Sequence, residues 1–168
     1  MNILLPVDGS EQSATAVQAV LNRPWPSGSH VRILAVVENA GPPPVGELML
    51  SPAVDLGQLR QQNIANAEKL TAEVAASLRA SGLSVDKAVR EGDASNSIVD
   101  EAKDWPADLI VMGTHGYTGL KKLVLGSVAQ SVVSHAPCSV EVVRDRIAAD
   151  GKKSNDKPGQ IEEPYRHK

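Results

Sequence analysis

At 168 residues the chain suits one domain with a sizeable core, and with no Phe, two Trp and two Tyr that core must be aliphatic. A net charge of −3, with Lys and Arg spread along the sequence, excludes the clustered basic face of a nucleic-acid binder. A single cysteine excludes an internal disulfide and suits a reducing compartment, and no apolar run approaches membrane-spanning length.

Asn2 to Val7 reads as a short apolar strand buried on both faces, with Pro6 near its end, where a missing N–H costs least. Asp8-Gly9-Ser10 is the following turn. Ser10 is placed to cap a helix to about Leu21, Glu11 suits its first turn, and Ala14, Val17, Val20 and Leu21 give it an apolar stripe. Pro24-Trp25-Pro26 stops that helix, with Trp25 covering one end of the core. Val31 to Val37 is the second strand. Glu38 to Pro52, with three consecutive prolines, suits neither strand nor helix, and at that length it is a candidate lid.

Asp55 to Ser81 has the spacing of a long helix, carried by Leu59, Ala67, Leu70, Val74 and Leu78 and terminated at Gly82. Leu83 to Arg90 is a third strand, interrupted by Asp86 and Lys87. Glu91-Gly92-Asp93 is a turn whose aspartate caps a helix carrying Ile98, Val99 and Ala102, and Trp105-Pro106 ends it. Leu109 to Met112 is a continuous apolar run that stops at Gly113, the pattern of a central strand. An apolar-periodic helix opens at Gly126-Ser127 and runs to His135, and Ser139 to Val143 is the last strand.

Five strands alternating with helices predict a parallel sheet with right-handed crossovers and helices on both faces. In such sheets ligands sit beyond the carboxyl ends of the strands, where the strand order reverses. The segment Gly113-x2-Gly116-x9-Gly126-Ser127 adds chemistry to that geometry. Glycines admit close approach of the backbone to an anion, and the first amides of a helix have no partners of their own, so strand, glycine loop and helix start make a phosphate cradle. Read blandly, the same residues are tight-turn glycines and a helix cap.

This spacing, with Gly-Thr-His-Gly-Tyr-Thr-Gly-Leu in the loop and Gly-Ser-Val-Ala-Gln-Ser-Val-Val after it, resembles the ATP-binding branch of the universal stress protein family over about residues 2–144. The resemblance implies a single-domain, Rossmann-like α/β sandwich of three layers with strand order 3-2-1-4-5. Residues 1–146 are then the nucleotide-binding domain. Residues 147–168, poor in apolar side chains, form a flexible polar tail.

The resemblance also implies a site. Pro6, Val7 and Asp8 close the first strand, with Asp8 on the nucleoside. Val36 offers its backbone to the adenine edge. Met112, Gly113, His115 and Gly116 line the loop, and Gly116, Gly126, Ser127 and Val128 surround the phosphates. ATP would come with Mg2+, held largely by phosphate and water. Alone, Asp8 in a Val-Asp-Gly-Ser turn reads equally well as a carboxylate bonded to turn amides, Val36 as a core residue, and His115 as a surface side chain. Lys121 and Lys122 read as a solvated face, and Cys138 as a small buried hydrophobe. His30, His135 and His167 lack metal-ligand spacing.

No Walker P-loop occurs, no G-x-G-x-x-G follows the first strand, and there is no G-x-S-x-G elbow. The expected function is therefore an adenine-nucleotide-binding stress regulator with slow or no hydrolysis. The alternatives are a dimeric interaction module with ATP as a structural ligand, or a weak hydrolase using Asp8 or His115. The alternating start of Ser139-Val140-Glu141-Val142-Val143 suits a sheet edge, and the family pairs chains there, so a homodimer is expected. The chain starts directly on a strand, without a signal peptide, and a cytoplasmic location is expected.

Overall fold

The computed structural model describes residues 1–38, 55–114 and 125–144. Strands β1 (Asn2–Pro6), β2 (His30–Val37), β3 (Ser84–Glu91), β4 (Leu109–Gly113) and β5 (Ser139–Val143) form one parallel sheet in the order β3-β2-β1-β4-β5. Among the described residues the helices are α1 (Glu11–Leu21), α2 (Leu56–Ala80), α3 (Ala94–Asp104) and α4 (Ser127–His135). The chain is therefore the expected five-stranded, doubly covered α/β sandwich. The candidate lid (38–52, apart from Glu38) and the tail lie outside the described residues.

β1 is central because its side chains are apolar in both directions. Ile3 and Leu5 meet α1 and α2 on one face, while Leu4 meets α3 and α4 on the other. Pro6 is tolerated there because the β1–β4 ladder has already ended at Leu4 opposite Ile110, so no neighbour needs its N–H on that side. Pairing with β2 continues past it, through the Val7 amide to the Leu34 carbonyl at 2.8 Å.

The helix ends follow local chemistry. Ser10 accepts from the Ser13 amide, Asp93 from Asn96, and Asp55 from Gly57 and Gln58, each satisfying first-turn donors. α2 ends in a Schellman arrangement, with the Gly82 amide on Arg79 O, the Leu83 amide on Leu78 O, and Gly82 at φ +88. Trp25 packs against the first core layer, with its Nε1 donating to Val20 O at 2.8 Å.

One expectation for α2 fails. Leu59 was expected on the buried stripe, yet it is 39% exposed and Leu56 53%. Rises of about 1.5 Å per helical residue and about 3.3 Å per strand residue explain this. The 25-residue helix outruns the 8-residue strands beneath it, so its first two turns overhang the sheet.

The outer part of the second face, over β2 and β3, is finished with charge rather than with a helix. Glu101 on α3 is 4% exposed and lies between two guanidinium groups. It accepts from Arg32 at 3.0 Å and also from Arg90 Nε. Arg32 reaches on to Asp86 at 3.2 Å, Arg90 to Asp104 at 2.7 Å, and the Arg32 guanidinium lies 4.6 Å over the Trp105 ring. Asp86, read from the sequence as an interruption of β3, is thus a member of this network. On the first face Arg23 grips Glu141 of β5 through two bonds, 2.6 and 2.5 Å. That contact holds the Glu141 carboxyl below its ordinary range.

Candidate functional site at the carboxyl ends of β1 and β4

The strand order reverses between β1 and β4. The connection after β1 leads to α1 on one face, and the chain after β4 leads to α4 on the other, so the carboxyl ends of the two strands open into a crevice. On the β1 side Val7 is buried and Asp8 exposed, and the turn passes through Gly9 at φ +82. The Asp8 Oδ1 atom accepts from the Ser10 amide at 3.0 Å and from the Ser10 hydroxyl at 2.7 Å. The bland reading of Asp8 as a turn acceptor therefore holds for that oxygen, and among the described residues Oδ2 takes no hydrogen bond.

On the β4 side Met112 and Thr114 are buried, and Gly113 lies against the first turn of α1. A Cβ there would come within 2.6 Å of the Gln12 carbonyl carbon and oxygen, so only glycine lets β4 and α1 approach this closely. Across the gap, the Gly126 amide donates to the Thr114 carbonyl at 2.8 Å. That bond ties the start of α4 to the end of β4. It also commits one of the amides expected to face phosphate.

Gly126 is the N-cap of α4, at φ −63 and ψ 156, and no side chain caps the helix. The Gly126 carbonyl takes the first intrahelical bond from Gln130. The Ser127, Val128 and Ala129 amides are therefore first-turn donors without intrahelical partners. Ser127 itself is exposed, and Val128 half-buries its side chain against the α3–α4 core layer. His115 and Gly116, along with Lys121 and Lys122, lie outside the described residues.

Val36 packs half-buried on the same core layer, as its bland reading has it, one residue before the end of β2. Gly92 at φ +140 sends its amide to the Val37 carbonyl at 3.0 Å, holding the ends of β2 and β3 together. The structure thus brings Asp8, Met112, Gly113, Gly126 and Ser127 to one end of the sheet. Sequence reasoning gave Ser10 only its capping role. Its bond to Asp8 has a local signal, since in Asp-Gly-Ser a hydroxyl two residues on is within reach of the carboxylate.

A cavity of about 310 Å³ lies at the opposite end of the sheet, between the α1–β2 connection and the α2–β3 turn. Most of its polar side chains are paired within the protein: Ser29 Oγ to Pro26 O, Ser81 Oγ to Leu78 O, Trp25 Nε1 to Val20 O, and Arg23 to Glu141. Cys138 is half-buried and free, and burial, followed by the charge of Asp108, raises its thiol pKa, away from nucleophilic character. Among the described residues no three His, Cys, Asp or Glu side chains come together as a metal site, and no helix is long and apolar enough to cross a membrane.

An all-parallel 3-2-1-4-5 sheet with a glycine-lined switch point defines a Rossmann-like α/β protein. The model of the universal stress protein family matches residues 1–144, and the chain belongs to that family. Universal stress protein MJ0531 of Methanocaldococcus jannaschii is 34% identical over 145 residues, covering 84% of this chain and 81% of that protein. Among solved structures, hypothetical protein MJ0577 superposes with a TM-score of 0.71 at 27% identity, covering 84% of this chain and 94% of its own. UspA from Lactobacillus plantarum gives 0.69 at 27%, covering 86% and 97%. More distant universal stress proteins solved with cAMP (22% identity, TM-score 0.59) and with dAMP (20%, 0.57, from Archaeoglobus fulgidus) share the fold.

Proposed function

We propose that the chain binds an adenine nucleotide, ATP with Mg2+, in the β1–β4 crevice and acts as a nucleotide-dependent stress regulator with slow or no hydrolysis. The observation that carries this reading is the start of α4. Its cap is a glycine, its first-turn amides are uncapped, and it is tied beside a Gly113 that has no room for a side chain. Such amides together with the helix dipole favour a phosphate. Relatives solved with cAMP and dAMP support an adenine nucleotide as the ligand.

In this reading the Ser127, Val128 and Ala129 amides and the Ser127 hydroxyl hold phosphate together with Gly116. Gly126 shapes the turn, since its own amide is committed to Thr114. Asp8 takes the nucleoside, Val36 offers its backbone to the base, and Pro6, Val7, Met112, Gly113 and His115 line the cleft. Mg2+ would rest on phosphate oxygens and water, because the described residues offer it no cluster of carboxylates. The serine–histidine contact among the described residues, Ser84 Oγ to His30 Nδ1 at 3.3 Å, lies at the start of β2 and β3, away from the crevice, which supports slow turnover there. The lone, half-buried thiol fits a cytoplasmic place.

Calorimetric titration of nucleotide-free protein with Mg-ATP tests the reading, beside the Gly116→Val, Gly126→Val double variant. At the extended backbone angles of residue 126 a valine is allowed, and circular dichroism checks that the double variant keeps its fold. We expect wild-type binding and a loss of roughly tenfold or more in the folded variant. Absence of wild-type binding would falsify the reading.

The β5 edge favours a second element of the proposal, a homodimer through Ser139–Val143. Among the described residues no strand pairs with its outer edge, its valines are half-buried, and its one charge, Glu141, is neutralised by Arg23. Light scattering at micromolar concentration should give twice the chain mass, and a Val142→Lys variant should give a single chain. A monomeric wild type would remove the dimer.

A further inference from the structure

We propose that Ser10 is the positioning residue of the crevice: its hydroxyl fixes the Asp8 carboxylate so that one oxygen is saturated by the protein and the other is left for hydroxyl donors of the ligand. The proposal rests on the nucleotide reading above and adds a specificity determinant to it.

A serine hydroxyl has one proton and two lone pairs. Here the proton goes to Asp8 Oδ1 at 2.7 Å, and a lone pair takes the Ser13 amide at 3.1 Å, which is the N-terminal cap of α1. The Ser10 amide adds a second donor to the same Oδ1 at 3.0 Å. The Asp8 amide returns to the Ser13 hydroxyl at 3.3 Å, closing a reciprocal set of four bonds.

Two features make this set directional. Ser10 and Ser13 are only 8% and 7% exposed, so water cannot replace a missing hydroxyl there, whereas Asp8 is exposed. Two donors on Oδ1 also fix the plane of the carboxylate, which leaves Oδ2 as the oxygen for the ligand. An ionised carboxylate only accepts. The group it selects must therefore donate, and the hydroxyl pair of a ribose is such a group, whereas a sugar without those hydroxyls is not. One serine oxygen thus serves both the helix start and the orientation of the ligand acceptor.

The test compares ATP with 2′,3′-dideoxy-ATP, each with Mg2+, by calorimetry on the full chain. Wild type should prefer ATP by roughly tenfold, the scale of one charge-assisted hydrogen bond. In Ser10→Ala that preference should fall towards one, with the dideoxy affinity within about twofold of wild type. Ser10→Thr should restore the preference. Ser10→Gly, which keeps most of the helix-start stability, should repeat the alanine result if alanine fails to fold. Equal losses for both ligands would mean that Ser10 only supports α1, and an unchanged preference would mean that it does not orient Asp8; either result overturns the proposal. If wild type binds neither ligand, the nucleotide reading itself falls and takes the proposal with it.

Discussion

Replacing Glu101 with alanine is expected to lower stability by about 3–5 kcal/mol, as much as truncating a core leucine. The carboxylate is buried and touches both Arg32 and Arg90. Removing it leaves two cations pressed together over the β2–β3 face with only the more exposed Asp86 and Asp104 as counter-charges, and the Arg32 Nε atom is already buried without a partner. Retaining the pair is worth much less than this penalty, because desolvation offsets most of the attraction; the cost arises from orphaning the partners. For a chain of this size the melting temperature should fall by roughly 6–20 °C. Asp104→Asn, at the exposed rim of the same network, should cost under about 1 kcal/mol. Thermal denaturation by circular dichroism checks both. A Glu101→Ala protein melting within a degree or two of wild type would show that the arginines relax freely into solvent.

Gly113→Ala should act on stability and on ligand together. The new methyl would stand 2.6 Å from the Gln12 backbone, and the obstacle is main chain, which cannot rotate away. Either β4 or the first turn of α1 must shift, at a cost of about 1–3 kcal/mol. The shift opens the crevice between Asp8 and the start of α4, so Mg-ATP affinity should fall roughly tenfold or more, as misplacement of about 1 Å commonly does to preorganised sites. Gly28→Ala is the matching control. It sits at φ +78 with nothing within 4 Å of an added Cβ, at the opposite end of the sheet. It should lose about 1–2 kcal/mol from backbone strain and leave affinity alone. Urea denaturation with calorimetry separates the two. Equal affinity losses in both variants would show that the crevice responds to overall stability and not to local spacing.

What the sequence discloses is what is local. Ser10, Asp93 and Gly82 announce helix ends because caps and stops act within four residues, and Leu109 to Met112 announces a central strand because both its faces are apolar. Strand order has no such signal. A buried parallel strand reads alike wherever it stands, and only the family resemblance supplied 3-2-1-4-5. Leu59 misled because helical spacing says which face is apolar and not how far the sheet beneath extends.

The Glu101 network is equally silent in the sequence. Arg32 lies 69 residues from Glu101 and 54 from Asp86, and each reads alone as a solvated charge. At the site, Asp8, Gly113 and Gly126 were legible as a motif. The commitment of the Gly126 amide to Thr114 was not, since a motif names residues and leaves open which of their atoms are spoken for.

The placement of β1 has a consequence for how the chain is born. Its Ile3, Leu4 and Leu5 are fully buried, yet one of the two strands that shelter it begins only at Leu109. Once it has left the ribosome, β1 must therefore wait for more than a hundred further residues, several seconds or longer at ordinary rates of synthesis. During that interval it can pair with β2 alone. Nascent chains should then be captured by chaperones at β1, and the sheet should close late, as a long-range, slow event.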